Sequence, residues 1–266
     1  MTAISSPHNP VIKYVRSLER ARVRREEGAY LAEGVRLVSE ALHTGQVASL
    51  VLYDPEQLRR SSAGAALAEA IPRWAAAWHE VDDRVMRAAA QTETPAGVLA
   101  VLRVPETSSL AACRERPFGV ILDRLADPGN AGTILRTAVA AGVDYVVSAP
   151  DSVDLYAPKV VRAAMGAHFR LPLYGGVPWD RIDSELTGVE VVVLDAAAEA
   201  SVFRYTWPGR AALVVGSEAH GISEEARERA SGRVRIPMRR GVESLNASVA
   251  ASIAIYTALA TSIDSP

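Results

Sequence analysis

Asn130, Arg136, Glu218 and Asn246 are the residues whose types could do chemistry, because each lies in or beside a glycine-bearing turn. Asn130 and Arg136 belong to DRLADPGNAGTILRT (Asp123 to Thr137), where an apolar run ends and a helix opens. Backbone N–H groups at a helix start lack intrahelical partners, and glycine lets a ligand come close, so such a loop can accept a phosphate. It matches neither G-x-G-x-x-G nor G-x-x-x-x-G-K-[ST], which argues against a dinucleotide or nucleoside triphosphate fold. Local alternatives stay open: Asn130 as an N-cap, and Arg136 in a salt bridge to a carboxylate such as Asp123. Glu218 sits in LVVGSEAHGIS, after Gly216 and before Gly221, where its carboxylate could hold an arginine. Asn246 belongs to IPMRRGVESLNASVAASIAIY (Ile236 to Tyr256), in which Ser244, Asn246 and Ser248 surround the start of a small-residue helix. Such a turn either caps its helix or holds a ligand.

The elements that must position these residues are legible from periodicity. Continuous apolar strands are expected at Phe118 to Leu125, Asp144 to Ala149, Phe169 to Tyr174, Val189 to Asp195, Ala211 to Gly216 and Val234 to Pro237. Helices between them complete an α/β pattern, with a parallel sheet covered on both faces. In such sheets ligands sit at the carboxyl ends of strands, and the three polar loops are strand exits of that kind. The last helix has no charged residue after Glu243, and Val249, Ile253, Tyr256 and Ala260 fall at helical spacing for burial. Ala250, Ala254 and Ala258 form a second, smooth face suited to close packing.

Upstream, a smaller α/β unit spans residues 1–104, with strands at Tyr30 to Gly34, Val47 to Tyr53, Trp74 to Val81 and Gly97 to Val104. Its helices are expected near Val35 to Leu42, Pro55 to Ala70 and Asp82 to Ala90. Residues 105–117 carry a proline at each end and no periodicity, as a linker would, and residues 118–266 form the second domain. Met1 to Tyr30 holds six basic residues against three acidic ones. Arg22, Arg24 and Arg25 within it present either a phosphate-facing surface or a solvated helix with Glu–Arg pairs.

A composition of 49% hydrophobic and 23% charged residues describes a globular chain, and its 266 residues suffice for one large domain or two modest ones. No apolar run approaches the roughly 20 residues of a membrane span, and the N-terminus has no apolar signal core, so a cytoplasmic protein is expected. Cys113 is the single cysteine, and the five histidines never pair at metal-ligand spacing, so no metal is expected.

The three loops, in this order and separation, resemble the motifs of the SpoU (TrmH) family of RNA 2′-O-ribose methyltransferases, in the SPOUT class. DRLADPGNAGTILRTA is similar to the first motif, LVVGSEAHGIS to the second and IPMRRGVESLNASVAASIA to the third. Ala219 and His220 replace a glycine and an acidic residue usual in the second. RARVRREEGAYLAEGVRLVSEAL and TETPAGVLAVLRV resemble the substrate-binding N-terminal domain often attached to these enzymes, itself similar to RNA-binding ribosomal proteins. The resemblance implies a C-terminal half tied in a trefoil knot, a homodimer, and S-adenosylmethionine as cofactor. Gly216, Ile236 and Leu245 would contact it largely through backbone groups, with Met238 nearby and Leu194 at the neighbouring strand mouth. Asn130 and Arg136 match the catalytic asparagine and arginine, Glu218 the acidic residue that organises them, and Asn246 completes the set. Arg136 acts either as base or as an electrostatic partner of phosphate and alkoxide; a guanidinium's strong preference for its proton favours the second. The expected substrate is ribosomal RNA, with transfer RNA, or a silent RNA-binding protein of this fold, as alternatives.

Overall fold

The computed structural model describes residues 3–106, 110, 117–217 and 219–263, with side chains as far as residue 260. Cys113 and Glu218 fall outside the described residues. The chain divides into two compact units, Met1–Glu106 with Tyr156–Phe169, and Thr107–Leu155 with Arg170–Pro266.

The first unit opens with α1 (Pro10–Ser17) and α2 (Ala21–Glu27), then β1 (Ala29–Glu33), α3 (Val35–His43), β2 (Ala48–Tyr53), α4 (Pro55–Leu58), α5 (Ser62–Trp74), β3 (Trp78–Glu80), α6 (Asp83–Ala89) and β4 (Val98–Arg103). The strands lie in the order β1-β4-β2-β3, with β4 antiparallel to both neighbours and β3 parallel to β2. Because side chains alternate across a strand, Leu31, Leu52, Leu99 and Val101 join Ile12, Val15 and Met86 on one face. Tyr30, Val51, Ala100 and Leu102 join Val38, Leu67 and Ile71 on the other. Both faces are covered, which is why the strands read as unbroken apolar runs.

Three expectations for this unit change. The helix expected over residues 55–70 is two helices, because Ser61 caps a second start by accepting from the Gly64 N–H at 3.1 Å. That second helix runs on to Trp74, which leaves only Trp78–Glu80 as strand. The basic stretch is likewise two helices, and the turn between them buries Arg24, which is 4% exposed. Its Nη1 donates to the carbonyl oxygens of Leu18 at 2.8 Å and Glu19 at 2.6 Å, satisfying groups left over at the end of α1. Arg24 is therefore not on a phosphate-facing surface. Arg22 and Arg25 remain exposed, Arg22 with Glu26 at 3.6 Å.

The second unit contains β5 (Phe118–Asp123), α7 (Pro128–Ala141) and β6 (Tyr145–Ser148). The helix that follows, α8 (Pro158–Ala164), belongs instead to the first unit, where Val161 enters the core and the rings of Tyr156 and His168 lie 4.9 and 6.0 Å from Tyr30. The second unit resumes with β7 (Leu173–Tyr174), α9 (Trp179–Glu185), β8 (Glu190–Leu194), β9 (Ala200–Ser201), β10 (Ala211–Gly216), α10 (Glu224–Arg229), β11 (Gly232–Arg235) and α11 (Ala247–Ile263). Its seven strands are all parallel, in the order β7-β6-β5-β10-β8-β11-β9. From β5 the chain first builds outward through β6 and β7, then crosses to the other side for β8 and β10. The boundary between β5 and β10 is thus a switch point, where the exits of neighbouring strands diverge and leave a crevice.

In α11 the buried face is Ala247, Ser248, Ala251, Ala254 and Ile255, packed against α7. Val249 and Tyr256, expected inside, are 47% and 45% exposed, and Ala260 is exposed. The helix is apolar all round, so periodicity could not select the packed face; small side chains let the two backbones approach and Thr137 meet Ser252 at 2.9 Å between hydroxyl oxygens.

Candidate functional site

The exits of β8, β10 and β11 and the start of α11 enclose one cavity of about 190 Å³. Leu194, Asp195 and Ala196 come from the end of β8 and the residues after it, Val215, Gly216, Ser217 and Gly221 from the end of β10 and its following turn, Ile236 and Met238 from the segment after β11, and Ser244, Leu245, Ala247 and Ala250 from the last loop and helix. Leu194, Gly216, Ile236, Met238 and Leu245 are therefore brought together around one space. A larger cavity, about 760 Å³, lies in the first unit among Asp54, Arg59, Glu80, Asp83 and Arg87. Its Arg87 and Asp83 already pair at 2.8 Å, and its lining contains no residue of the three polar loops, so size does not select the site.

The exits of β10 and β8 are held by local hydrogen bonds. Ser217 and Gly221 exchange backbone hydrogen bonds of 3.1 and 2.8 Å, with Gly221 at φ 66°. A Cβ on Gly216 would run into the Gly221 backbone, so only glycine lets the hairpin fold back over the strand end. The loop is anchored further by Asp123, buried at the end of β5, whose Oδ2 accepts from the Ser223 N–H at 2.6 Å while Ser223 caps α10. On the β8 side the buried Asp195 carboxylate accepts from the Ala197 N–H at 2.9 Å and from Arg233 Nη2 at 3.2 Å, with Arg227 at 3.8 Å. Neither carboxylate was singled out as a site residue from sequence. The available signal for Asp195 was an acid closing the apolar run VEVVVL.

Asn246 caps its helix, one of the two readings its sequence left open, and also reaches a second element. Its Oδ1 accepts from the N–H groups of Ser248 at 3.0 Å and Val249 at 3.2 Å, which caps α11. Its Nδ2 donates to Oδ1 of Asn130 at 2.9 Å, joining the first turn of α7 to the loop that follows β11. Asn130 is not the cap of α7: Asp127 accepts from the Asn130 N–H at 2.7 Å, with Pro128 in the first turn. Asn130, Thr133 and Arg136 follow one another along the outer side of α7. Arg136 is exposed and makes no salt bridge among the described residues; Asp123 is engaged with Ser223 instead. Glu218 cannot be set against it, lying outside the described residues.

A parallel α/β sheet with a crevice at its strand exits, joined to polar groups on the neighbouring helix, defines a ligand-binding α/β protein. Residues 117–256, more than half of the chain, match the SpoU rRNA Methylase family, and residues 9–100 match the MRM3-like substrate binding domain. The chain belongs to the SpoU rRNA methylase family. It is 30% identical to the 23S rRNA (guanosine(2553)-2′-O)-methyltransferase RlmP of Bacillus subtilis, over 96% of this chain and 98% of that protein. It is 32% identical to the mitochondrial rRNA methyltransferase 3A of Danio rerio, over 91% of this chain and 66% of that protein. Among solved structures it resembles the SpoU methyltransferase AviRb of Streptomyces viridochromogenes in complex with the cofactor AdoMet, with a TM-score of 0.84, 28% identity and coverage of 97% and 100% of the two chains.

Proposed function

We propose that this protein is an S-adenosylmethionine-dependent methyltransferase that modifies a ribose 2′-hydroxyl of ribosomal RNA. The observation that carries this reading is the cavity at the exits of β8, β10 and β11, tied through the Asn246–Asn130 hydrogen bond to the helix bearing Arg136. The lining suits the cofactor: Leu194, Ile236, Met238 and Leu245 offer apolar surface for a flat heterocycle, and strand-exit backbone groups offer donors and acceptors for its edges. When bound, the cofactor supplies an electrophilic methyl group on a sulfonium. Asn130 and Arg136 face the RNA, where Arg136 neutralises phosphate and the developing alkoxide, and Glu218 organises them. Holding the hydroxyl in line contributes several kcal/mol, on the order of the gains known for positioned reactants. The cytoplasm is the proposed compartment, supported by the similarity to the Bacillus subtilis relative over nearly all of both chains.

The same reading includes the trefoil knot and the homodimer. Supporting the knot, the chain leaves β11 near one sheet edge and returns to pack α11 against β10 and α7 in the middle. Supporting the dimer, Val249 and Tyr256 leave an apolar face of α11 in water, with Phe203 of the neighbouring turn 59% exposed. Tyr256→Glu is expected to convert the dimer to monomer in sedimentation analysis while leaving the circular dichroism spectrum unchanged; a dimer of unaltered affinity would place the interface elsewhere.

The N-terminal segment of the first unit, proposed as a substrate domain of residues 1–104 with a linker at 105–117, sets RNA affinity. Charge reversal of Arg22 and Arg25 is expected to raise the KM for RNA several-fold without changing cofactor affinity. Arg24→Ala should act differently, lowering stability by about 1–2 kcal/mol because the Leu18 and Glu19 carbonyls lose their donor. Equal effects of the three substitutions on KM, with no loss of stability at Arg24, would contradict this division. The function itself is tested by incubating the protein with labelled cofactor and separated ribosomal and transfer RNAs, then mapping the modified nucleotide. Label confined to transfer RNA would move the substrate, and label on neither would remove the activity.

A further inference from the structure

The loop between β11 and α11 contains a strained residue that lining the cavity does not require. Met238 at its start and Ser244 at its end both line the cavity, so residues 239–243 leave the wall and return to it within a short excursion. At the outer end the Val242 N–H donates to the Arg239 carbonyl oxygen at 3.3 Å, closing a turn whose central residues are Arg240 at φ 58° and Gly241 at φ 72°. Two left-handed residues in succession characterise the type I′ turn, which favours Asn, Asp or Gly at both places. Gly241 follows that preference. Arg240 does not, and its Cβ makes the conformation costly. Its side chain recovers nothing locally: Arg239 and Arg240 are both exposed, and neither guanidinium makes an ion pair or hydrogen bond among the described residues. Strain held on a residue whose side chain meets only solvent points to a ligand as the compensating partner.

Building on the RNA methyltransferase reading, we infer that Arg239 and Arg240 bind the phosphodiester backbone of the substrate RNA at the rim of the cofactor cavity. The ligand class follows from the side chains. Two adjacent guanidiniums on a tight turn present forked donors that match phosphate oxygens, and neither can accept a hydrogen bond from a base. The turn leaves the cavity wall after Met238 and rejoins it at Ser244, two residues before the Asn246 that pairs with Asn130, so a phosphate on the turn is tied through a short stretch of chain to that pair. Such interactions position a strand without reading its sequence. Arg240 would thereby set where the ribose lies rather than which nucleotide is chosen.

The test uses the full chain and an in vitro transcript of ribosomal RNA. Arg240→Gly removes the charge and the strain together, Arg239→Gln removes the other charge, and Arg240→Lys restores a point charge. The double variant Arg239→Gln/Arg240→Gly is expected to stay folded with wild-type cofactor affinity by calorimetry, and to raise the RNA KM about tenfold. In filter binding its slope of log affinity against log salt should fall by about 0.7–0.9 for each phosphate that the variant no longer neutralises. Arg239→Gln/Arg240→Lys should recover part of that slope. A folded double variant with the wild-type slope and KM overturns the inference, as does a fall in cofactor affinity with the RNA slope unchanged. Methyl transfer by the wild type reads the proposed function separately, since the slope difference between wild type and variant depends on these two arginines alone.

Discussion

Arg136→Ala is expected to reduce methyl transfer by ~10²-fold or more while leaving fold and cofactor affinity nearly intact. The structural half of this expectation follows from its setting: Arg136 lies on the outer side of α7, exposed and without a salt bridge among the described residues. Surface substitutions of that kind usually change stability by less than about 0.5 kcal/mol. The catalytic half follows from its charge. A guanidinium that no described carboxylate neutralises is available to phosphate and to negative charge appearing on a ribose oxygen, and a charge felt mainly in the transition state lowers kcat when removed. Arg136→Lys separates two roles within this reading, because it keeps the charge but loses the planar fork. Single-turnover rates at saturating RNA and cofactor make the measurement. A purified, folded alanine variant with near-normal turnover would end this assignment.

The second large effect is expected at Leu245, where proline should abolish S-adenosylmethionine binding. Leu245 lines the cavity immediately before the Asn246 cap, so its backbone joins the cavity wall to the helix. Proline removes the N–H there and fixes φ, which attacks main-chain recognition that no side chain can replace. Asn246→Ala is the control with a smaller expected change. Loss of the cap alone costs about 1 kcal/mol of stability. Because the same amide also donates to Asn130, the alanine variant should weaken cofactor binding beyond what the stability change explains. Calorimetric titration of both variants, each first shown to be folded by circular dichroism, decides the matter. Wild-type cofactor affinity in folded Leu245→Pro would take this loop out of the site.

What the sequence by itself determined is whatever depends on short-range pattern. Apolar runs such as VILD at Val120 to Asp123 and VVVLD at Val191 to Asp195 suit strands buried on both faces, and the polar glycine-bearing segments after them suit exits. With a parallel sheet the exits lie on one side, which is why Leu194, Gly216, Ile236, Met238 and Leu245, named by the motif resemblance, could be expected around one space. Tertiary structure decided the rest, because it depends on which surfaces meet. An all-apolar α11 has no preferred face until α7 packs on it, and the result put Val249 and Tyr256 in water. Arg24 looked like its exposed neighbours until the α1–α2 turn brought the Leu18 carbonyl within 2.8 Å. Asp123 found Ser223, and Asn246 found Asn130, across 100 and 116 residues of chain. Local periodicity carries no information about such pairs; they form because burying a carboxylate or aligning two amides is favourable only once packed elements have removed the water that would otherwise compete.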